Sequence, residues 1–142
     1  LFEPDIRRIS DRLHEIGALL YIDGANLNAI LGLTSYGLMG ADAVLFNLNK
    51  TFAAPHGGGG PGAGPVAVSQ RLVDFLPRPL VINDKWGHFD LMEPQYSIGR
   101  VKSFWGHVGV ILKALAYMKN HGKDGLREIS EGAVLNANYL KR

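Results

Sequence analysis

The sequence contains no cysteine. Disulfide frameworks, thiolate nucleophiles and zinc–thiolate centres are therefore excluded. No apolar run approaches the roughly 18 residues that a membrane-spanning helix needs. Charge of neither sign dominates, with 15 Lys and Arg against 13 Asp and Glu for a net +2. Such a balance gives no strong field for nucleic acid or an anionic membrane, and neither is expected as a partner. The start, LFEPDIRR, lacks the basic and apolar regions of a signal peptide. A soluble compartment is expected, the cytoplasm in a bacterium or the mitochondrial matrix in a eukaryote. The five histidines are scattered without ligand spacing, so no metal site is expected. An initiator Met is also missing, helical periodicity is under way by Ile6, and NANYLKR carries no helix-stop signal. From these the chain is expected to be a piece of a larger protein.

What is plentiful is glycine, 18 residues of 142, and it is concentrated. An apolar run, Val44, Leu45 and Phe46 with Leu48, leads into Lys50. His56 follows, then Gly57, Gly58, Gly59 and Gly60, and Pro61, Gly62, Ala63, Gly64 and Pro65. Each glycine gives up more backbone freedom on folding than any other residue, so this loop is costly to order. It makes sense where backbone must approach a ligand or move.

The remaining pattern is α/β. Glu3 to Ile16 reads as an amphipathic helix with Ile6, Ile9, Leu13 and Ile16 on one face and Gly17 as its stop. Pro4 suits its first turn, and His14 falls on its surface. Residues 18–22 (ALLYI) and 43–48 are continuous apolar runs, as expected of strands buried on both faces. A short helix is expected over 27–31 and a third strand over 66–68. Ser69 is placed to cap a helix over 70–75, and a fourth strand follows over 80–82. Residues 83–99 read as irregular. A long helix is expected over about 104–120, with His107 near its start and His121-Gly122 closing it, and a last one over 125–140. This order implies a mostly parallel sheet flanked by helices, with ligands beyond the carboxyl ends of the strands. Asp23 ends one run and Lys50 follows the next. If the two strands are neighbours, both residues emerge on one rim.

An acid and a lysine at such a rim, beside a glycine loop, match the needs of pyridoxal 5′-phosphate. The lysine bonds the aldehyde, and the carboxylate keeps the pyridine nitrogen protonated so that the ring accepts electrons. Spacing alone leaves the plainer readings open, Asp23 as a turn residue and Lys50 as a solvated side chain.

The strings YIDGANLNAILGL, FNLNKTFAAPHGGGGPGAGPVAV and SIGRVKSFWG strongly resemble glycine dehydrogenase (decarboxylating), the P-protein family of the glycine cleavage system. The resemblance spans essentially the whole chain but only a minority of the family's length, within its C-terminal or β-type portion. It implies part of the large domain of a fold-type I pyridoxal enzyme, residues 1–100, with 101–142 a helical segment leading toward the small domain. It implies Lys50 as the Schiff-base lysine and Asp23 as partner of the pyridinium nitrogen. Ala25 lies where a small side chain meets the ring, and Asn49 and Thr51 flank the lysine as cofactor-binding positions. His56, Gly57, Gly58, Gly59, Gly60, Gly62 and Gly64 form the active-site loop. One departure is Asn49, where the family usually has His, so no titrating role is implied there. The implied reaction releases carbon dioxide from glycine and passes the aminomethyl group to the lipoyl group of H-protein. Another P-protein subunit or protomer is the implied further partner. The family's phosphate loop and stacking aromatic lie upstream of Leu1, so these residues alone are expected to hold the cofactor weakly and to be inactive. Bare strand edges are expected to make them associate.

Other readings are weaker. His56-Gly-Gly-Gly also resembles the oxyanion motif of α/β-hydrolases, but no Gly-x-Ser-x-Gly elbow accompanies it. A phosphate-binding P-loop fails because Gly64 is followed by Pro65 and Val66. Asn49-Lys50-Thr51 matches a glycosylation sequon without a secretory signal. Arg100, Lys102, Ser97, Ser103 and Trp105 fit either solvated surface or a place near the site. A different fold-type I pyridoxal enzyme, an aminotransferase or decarboxylase, is the nearest alternative. A non-catalytic P-protein subunit is another, although it has no need of Lys50 and Asp23.

Overall fold

The computed structural model describes residues 3–59 and 62–142. Gly60 and Pro61 in the loop, with Leu1 and Phe2, lie outside the described residues. Helix α1 (Ile6–Glu15) follows Asp5, whose side chain makes no capping hydrogen bond, so Pro4 sits ahead of the helix, and Gly17 ends the segment at φ +77°. Strand β1 (Tyr21–Gly24) starts later than the apolar run that announces it, and β2 (Ala43–Phe46) stops earlier. Between them, residues 27–34 fold as hydrogen-bonded turns rather than a helix, with Leu31 N–H donating to the Leu27 carbonyl at 2.9 Å.

β1 and β2 are parallel, with Asp23 opposite Leu45 and Gly24 opposite Phe46. The segment 25–42 supplies the crossover that a parallel pair demands. β3 (Val66–Val68) is antiparallel to β2, so the sheet is mixed, in the order β1-β2-β3. The reason lies in the segment between them. It holds only the four-residue helix α2 (Leu48–Thr51) before the glycines. With no long helix to carry it back, the chain reverses and runs beside its own outgoing path. Phe46 N–H donates to the Pro65 carbonyl at 2.9 Å and Leu48 N–H to the Ala63 carbonyl at 3.2 Å. Gly64 is needed in this limb, because a Cβ there would lie 3.1 Å from the Phe46 carbonyl.

A 3-10 turn covers Gln70–Phe75. Ser69 stands at its start, but its hydroxyl donates to Asp42 Oδ1 at 3.2 Å instead of capping it. β4 (Leu80–Asn83) then pairs with β5 (Phe89–Met92) as a hairpin. β5 lay hidden in the sequence because Phe89-Asp-Leu-Met offers one alternation amid Gly, Asp and Pro. Helix α3 (Val108–Lys141) follows His107 and is interrupted at Gly122, where φ +64° and ψ −174° break the helical path. That is where a stop was expected between two helices.

The core is small. Leu27, Leu48, Phe52, Ala54, Val110 and Ala114 are buried together, with Tyr36, Phe46 and Tyr117 packed against them. The expectation of strands buried on both faces does not hold within this chain: Leu19 and Tyr21 stay 52% and 56% exposed. β1 is an edge strand of the three-stranded sheet, with no second strand paired to it among the described residues. Among the described residues no helix is long and apolar enough to cross a membrane.

Candidate active site

The parallel register decides the geometry of the rim. β1 and β2 both point their carboxyl ends the same way, so the residues leaving them emerge together. Asp23 is the penultimate residue of β1, while Lys50 lies beyond β2 in α2 rather than in an open loop. That short helix has two faces. Leu48 and Thr51 are buried, Asn49 is half-buried, and Lys50 is exposed. The buried face anchors the backbone and leaves the ammonium outward. Lys50 forms no ion pair or side-chain hydrogen bond among the described residues. The exit from α2 is tight: Ala53 takes φ +53°, and Ala54 N–H reaches back to the Leu48 carbonyl at 3.2 Å. A left-handed alanine costs on the order of 1 kcal/mol, offset here by burying Phe52 and Ala54.

Asp23 is exposed, and its Oδ1 accepts the Ala25 N–H at 3.0 Å. This is the Asx turn of the plainer reading. It uses one carboxylate oxygen and leaves Oδ2 without a partner among the described residues. Ala25 is half-buried beside it. Gly24 has no room for a side chain, since a Cβ would lie 2.6 Å from Val44 Cγ1 and 2.7 Å from Tyr36 Cε2. Tyr36 thus presses against the end of β1, its ring 6.0 Å from that of Phe46. Burial raises its phenol above the ordinary value, and the Asp23 charge adds to this. The phenol therefore stays neutral beside the rim.

Sequence reasoning overlooked Tyr36, and its position after a run of turns offered no spacing to find it by. It also left out Asn28, although this residue stands within the DGANLN string. Thr51 Oγ1 accepts the Leu27 N–H at 2.9 Å and donates to Asn28 Oδ1 at 2.8 Å. These bonds join the turn after Asp23 to the helix of Lys50.

In the glycine loop, Gly57 and Gly58 adopt φ +81° and +54°, and nothing lies within 4 Å of the place a Gly58 Cβ would take. His56, Gly57 and Gly58 are exposed, and Gly62 passes 3.4 Å from the His56 carbonyl measured from a Cβ position. Gly60 lies outside the described residues. The far side of the loop borders a cavity of about 610 Å³. Gly62, Gly64, Arg100, Lys102, Ser103 and Trp105 are among its lining residues. The SIGRVKSFWG string and the glycine loop therefore meet, whereas neither Asp23 nor Lys50 lines that cavity. No three His, Asp or Glu residues gather as a metal group among the described residues.

The opposite end of the same strands holds a second acid. Asp42 is 2% exposed. Its Oδ2 accepts the Leu20 N–H at 2.9 Å and meets His14 Nε2 at 2.7 Å, and Oδ1 takes the Ser69 hydroxyl. Burial pushes its carboxyl up, but Leu20, His14 and Ser69 outweigh this and hold it below the usual carboxylate range. His14, expected as a helix-surface residue, instead turns inward because an acid awaits it across the sheet end.

Comparison with known proteins gives a consistent result. The chain is 55% identical over 143 aligned residues to a probable glycine dehydrogenase (decarboxylating) subunit 2 from Shouchella clausii. It is 57% identical to one from Thermotoga maritima and 56% to one from Thermoplasma acidophilum. Each alignment takes in all of this chain but only 29–30% of the relative, so the chain spans about three-tenths of the curated relatives it matches. Its fold is that of part of a crystal structure titled glycine decarboxylase (P-protein) of the glycine cleavage system, in inhibitor-bound form. The TM-score is 0.59 at 22% identity, over 87% of this chain and 30% of that one. No family model matches.

Proposed function

We propose, from a chain related over its whole length to the glycine dehydrogenase (decarboxylating) family, that it forms the lysine-bearing part of a glycine decarboxylase. The observation that carries the reading is the parallel β1–β2 pair, which sends Asp23 and the helix of Lys50 to one rim. On this reading the substrate is glycine, the acceptor is the lipoyl group of H-protein, and another P-protein subunit or protomer completes the site. Residues 1–100 belong to the cofactor domain and 101–142 lead toward the next. A soluble compartment, the cytoplasm for a bacterial protein, agrees with this.

The donor set fits pyridoxal 5′-phosphate: an outward primary amine, a carboxylate with one oxygen unengaged, and a loop with open space at Gly58. When bound, the cofactor supplies an electron sink for the pair of electrons left as carbon dioxide departs. Lys50 Nζ would hold the cofactor covalently and would be the group placed to take or give a proton at the substrate. Asp23, its carboxylate oriented by the Ala25 N–H, would hold a proton on the ring nitrogen of the cofactor. Ala25, a small side chain half-buried beside Asp23, would leave room for the ring. Asn49 hydrogen-bonds without titrating, and Thr51 supports the lysine from behind. The loop residues His56 to Gly58 and Gly62 to Gly64 would border the substrate, where glycine lets backbone come close to a ligand.

Borohydride reduction of the cofactor-loaded protein, followed by peptide mapping, is expected to leave the pyridoxyl group on Lys50. Label on another lysine would reject the assignment. The non-catalytic subunit alternative predicts no label at all.

A further inference from the structure

We infer that Thr51 and Asn28 are a positioning pair that sets where Asp23 stands relative to Lys50. The inference rests on the reading just given. β1 and β2 are bonded to one another only as far as Gly24 and Phe46. Asp23 stands within that ladder, opposite Leu45, whereas Lys50 lies past its end. Lys50 rides on α2, and Asp23 leads straight into Ala25, Asn26, Leu27 and Asn28.

The side-chain hydrogen bonds that join the turn after β1 to α2 share one hydroxyl. Thr51 follows Lys50 directly and is buried, and its Oγ1 receives the Leu27 N–H at 2.9 Å. The same oxygen gives its only proton to Asn28 Oδ1 at 2.8 Å. Leu27 itself is buried among Leu48, Phe52 and Ala54, so the N–H it offers has no water to turn to. The Asn28 amide is shaped by its own turn, its N–H donating to Asn26 Oδ1 at 2.9 Å. With its proton committed to Asn28, the Thr51 hydroxyl has no donor left for a cofactor or substrate. Its part is exerted through the segments it ties together.

Three consequences separate a positioning pair from ordinary stabilisation. Valine in place of Thr51 keeps the shape and deletes both bonds. Serine restores them. Asn28 is exposed, so Asn28→Ala removes one bond while leaving the buried Leu27 contact in place.

The test uses the full protein that contains this chain, with any partner subunit. In its cofactor-free form, amide exchange at Leu27 is expected to quicken about tenfold in Thr51→Val. Thr51→Ser should exchange like the parent. After loading, borohydride should still label Lys50 in every variant. The pH titration of the visible absorbance of the Lys50-bound cofactor is expected to move by about half a unit in Thr51→Val and Asn28→Ala. Glycine carboxyl exchange should fall on the order of tenfold in kcat, with less change in KM. The double variant should be no worse than Thr51→Val alone, because Asn28 acts through that hydroxyl. Normal labelling with an unmoved titration and unchanged kcat in both single variants would overturn the positioning pair, even if melting temperatures drop. A parent protein that carries no label on Lys50 would instead overturn the site reading beneath it.

Discussion

Two aspartates sit at opposite ends of the same pair of parallel strands, and they are used in opposite ways. Asp42, ahead of β2, is buried and gathers the Leu20 N–H, His14 and Ser69 around both its oxygens. Asp23, at the far end of β1, is exposed and keeps one oxygen without a partner among the described residues. The first ties α1, β1 and the start of the Gln70–Phe75 turn to the edge of β2. The second is held only by its neighbour Ala25, within its own loop. A buried carboxylate with both oxygens engaged by protein is a fixture of the fold. One left facing outward beside a lysine-bearing helix is available to a ligand.

That contrast is most sharply tested at the exposed end. Lys50→Ala should abolish glycine carboxyl exchange by on the order of a thousandfold or more. Its melting temperature should hardly change, because an exposed side chain without an ion pair contributes little to stability. A large loss of stability instead would make Lys50 structural. Asp42→Ala should do the reverse. It strands His14 and two donors around a buried hole and should cost about 3 kcal/mol, read by denaturant unfolding. A cost below about 1 kcal/mol would mean that the buried end is no clamp.

Asp23→Asn is expected to retain cofactor on Lys50, since Asn Oδ1 still accepts the Ala25 N–H, yet to slow exchange on the order of a hundredfold. Unchanged exchange would return Asp23 to the role of a turn residue. Acid titration compares the two ends directly. The Asp42 carboxyl lies lower in the folded state than in the unfolded chain. Its stabilisation is therefore complete above the unfolded value of about 3.9 and is lost as pH falls through the folded one. The stability gap between the parent protein and Asp42→Asn should be constant from pH 7 to 5 and narrow below about pH 4. A gap that narrows already above pH 5 would show that the Asp42 carboxyl is not the group responsible. The smallest effect concerns backbone. Ala53→Gly relieves a left-handed alanine and should change stability by less than about 1 kcal/mol, since the strain relieved and the chain entropy added oppose each other.

The sequence by itself determined the class of the fold, the sites of its turns and the residues worth watching. Apolar runs at 18–22 and 43–48, Gly17 and Gly122 as stops, and the acid, lysine and glycine loop in that order are local facts, set by side-chain type and by which backbone angles glycine alone adopts freely. The long string from Asn47 to Pro65 carried the family resemblance for the same reason: it is contiguous. Other matters were decided only by segments meeting in space. The direction of β3 depended on the returning loop bonding to Phe46 and Leu48. The inward turn of His14 depended on Asp42, which stands 28 residues away. The tie between Thr51 and Asn28 needed β1 and β2 to pair in one register. Hydrogen bonds between segments far apart in the chain leave no period for a sequence to display, and the rim of this sheet is built from them.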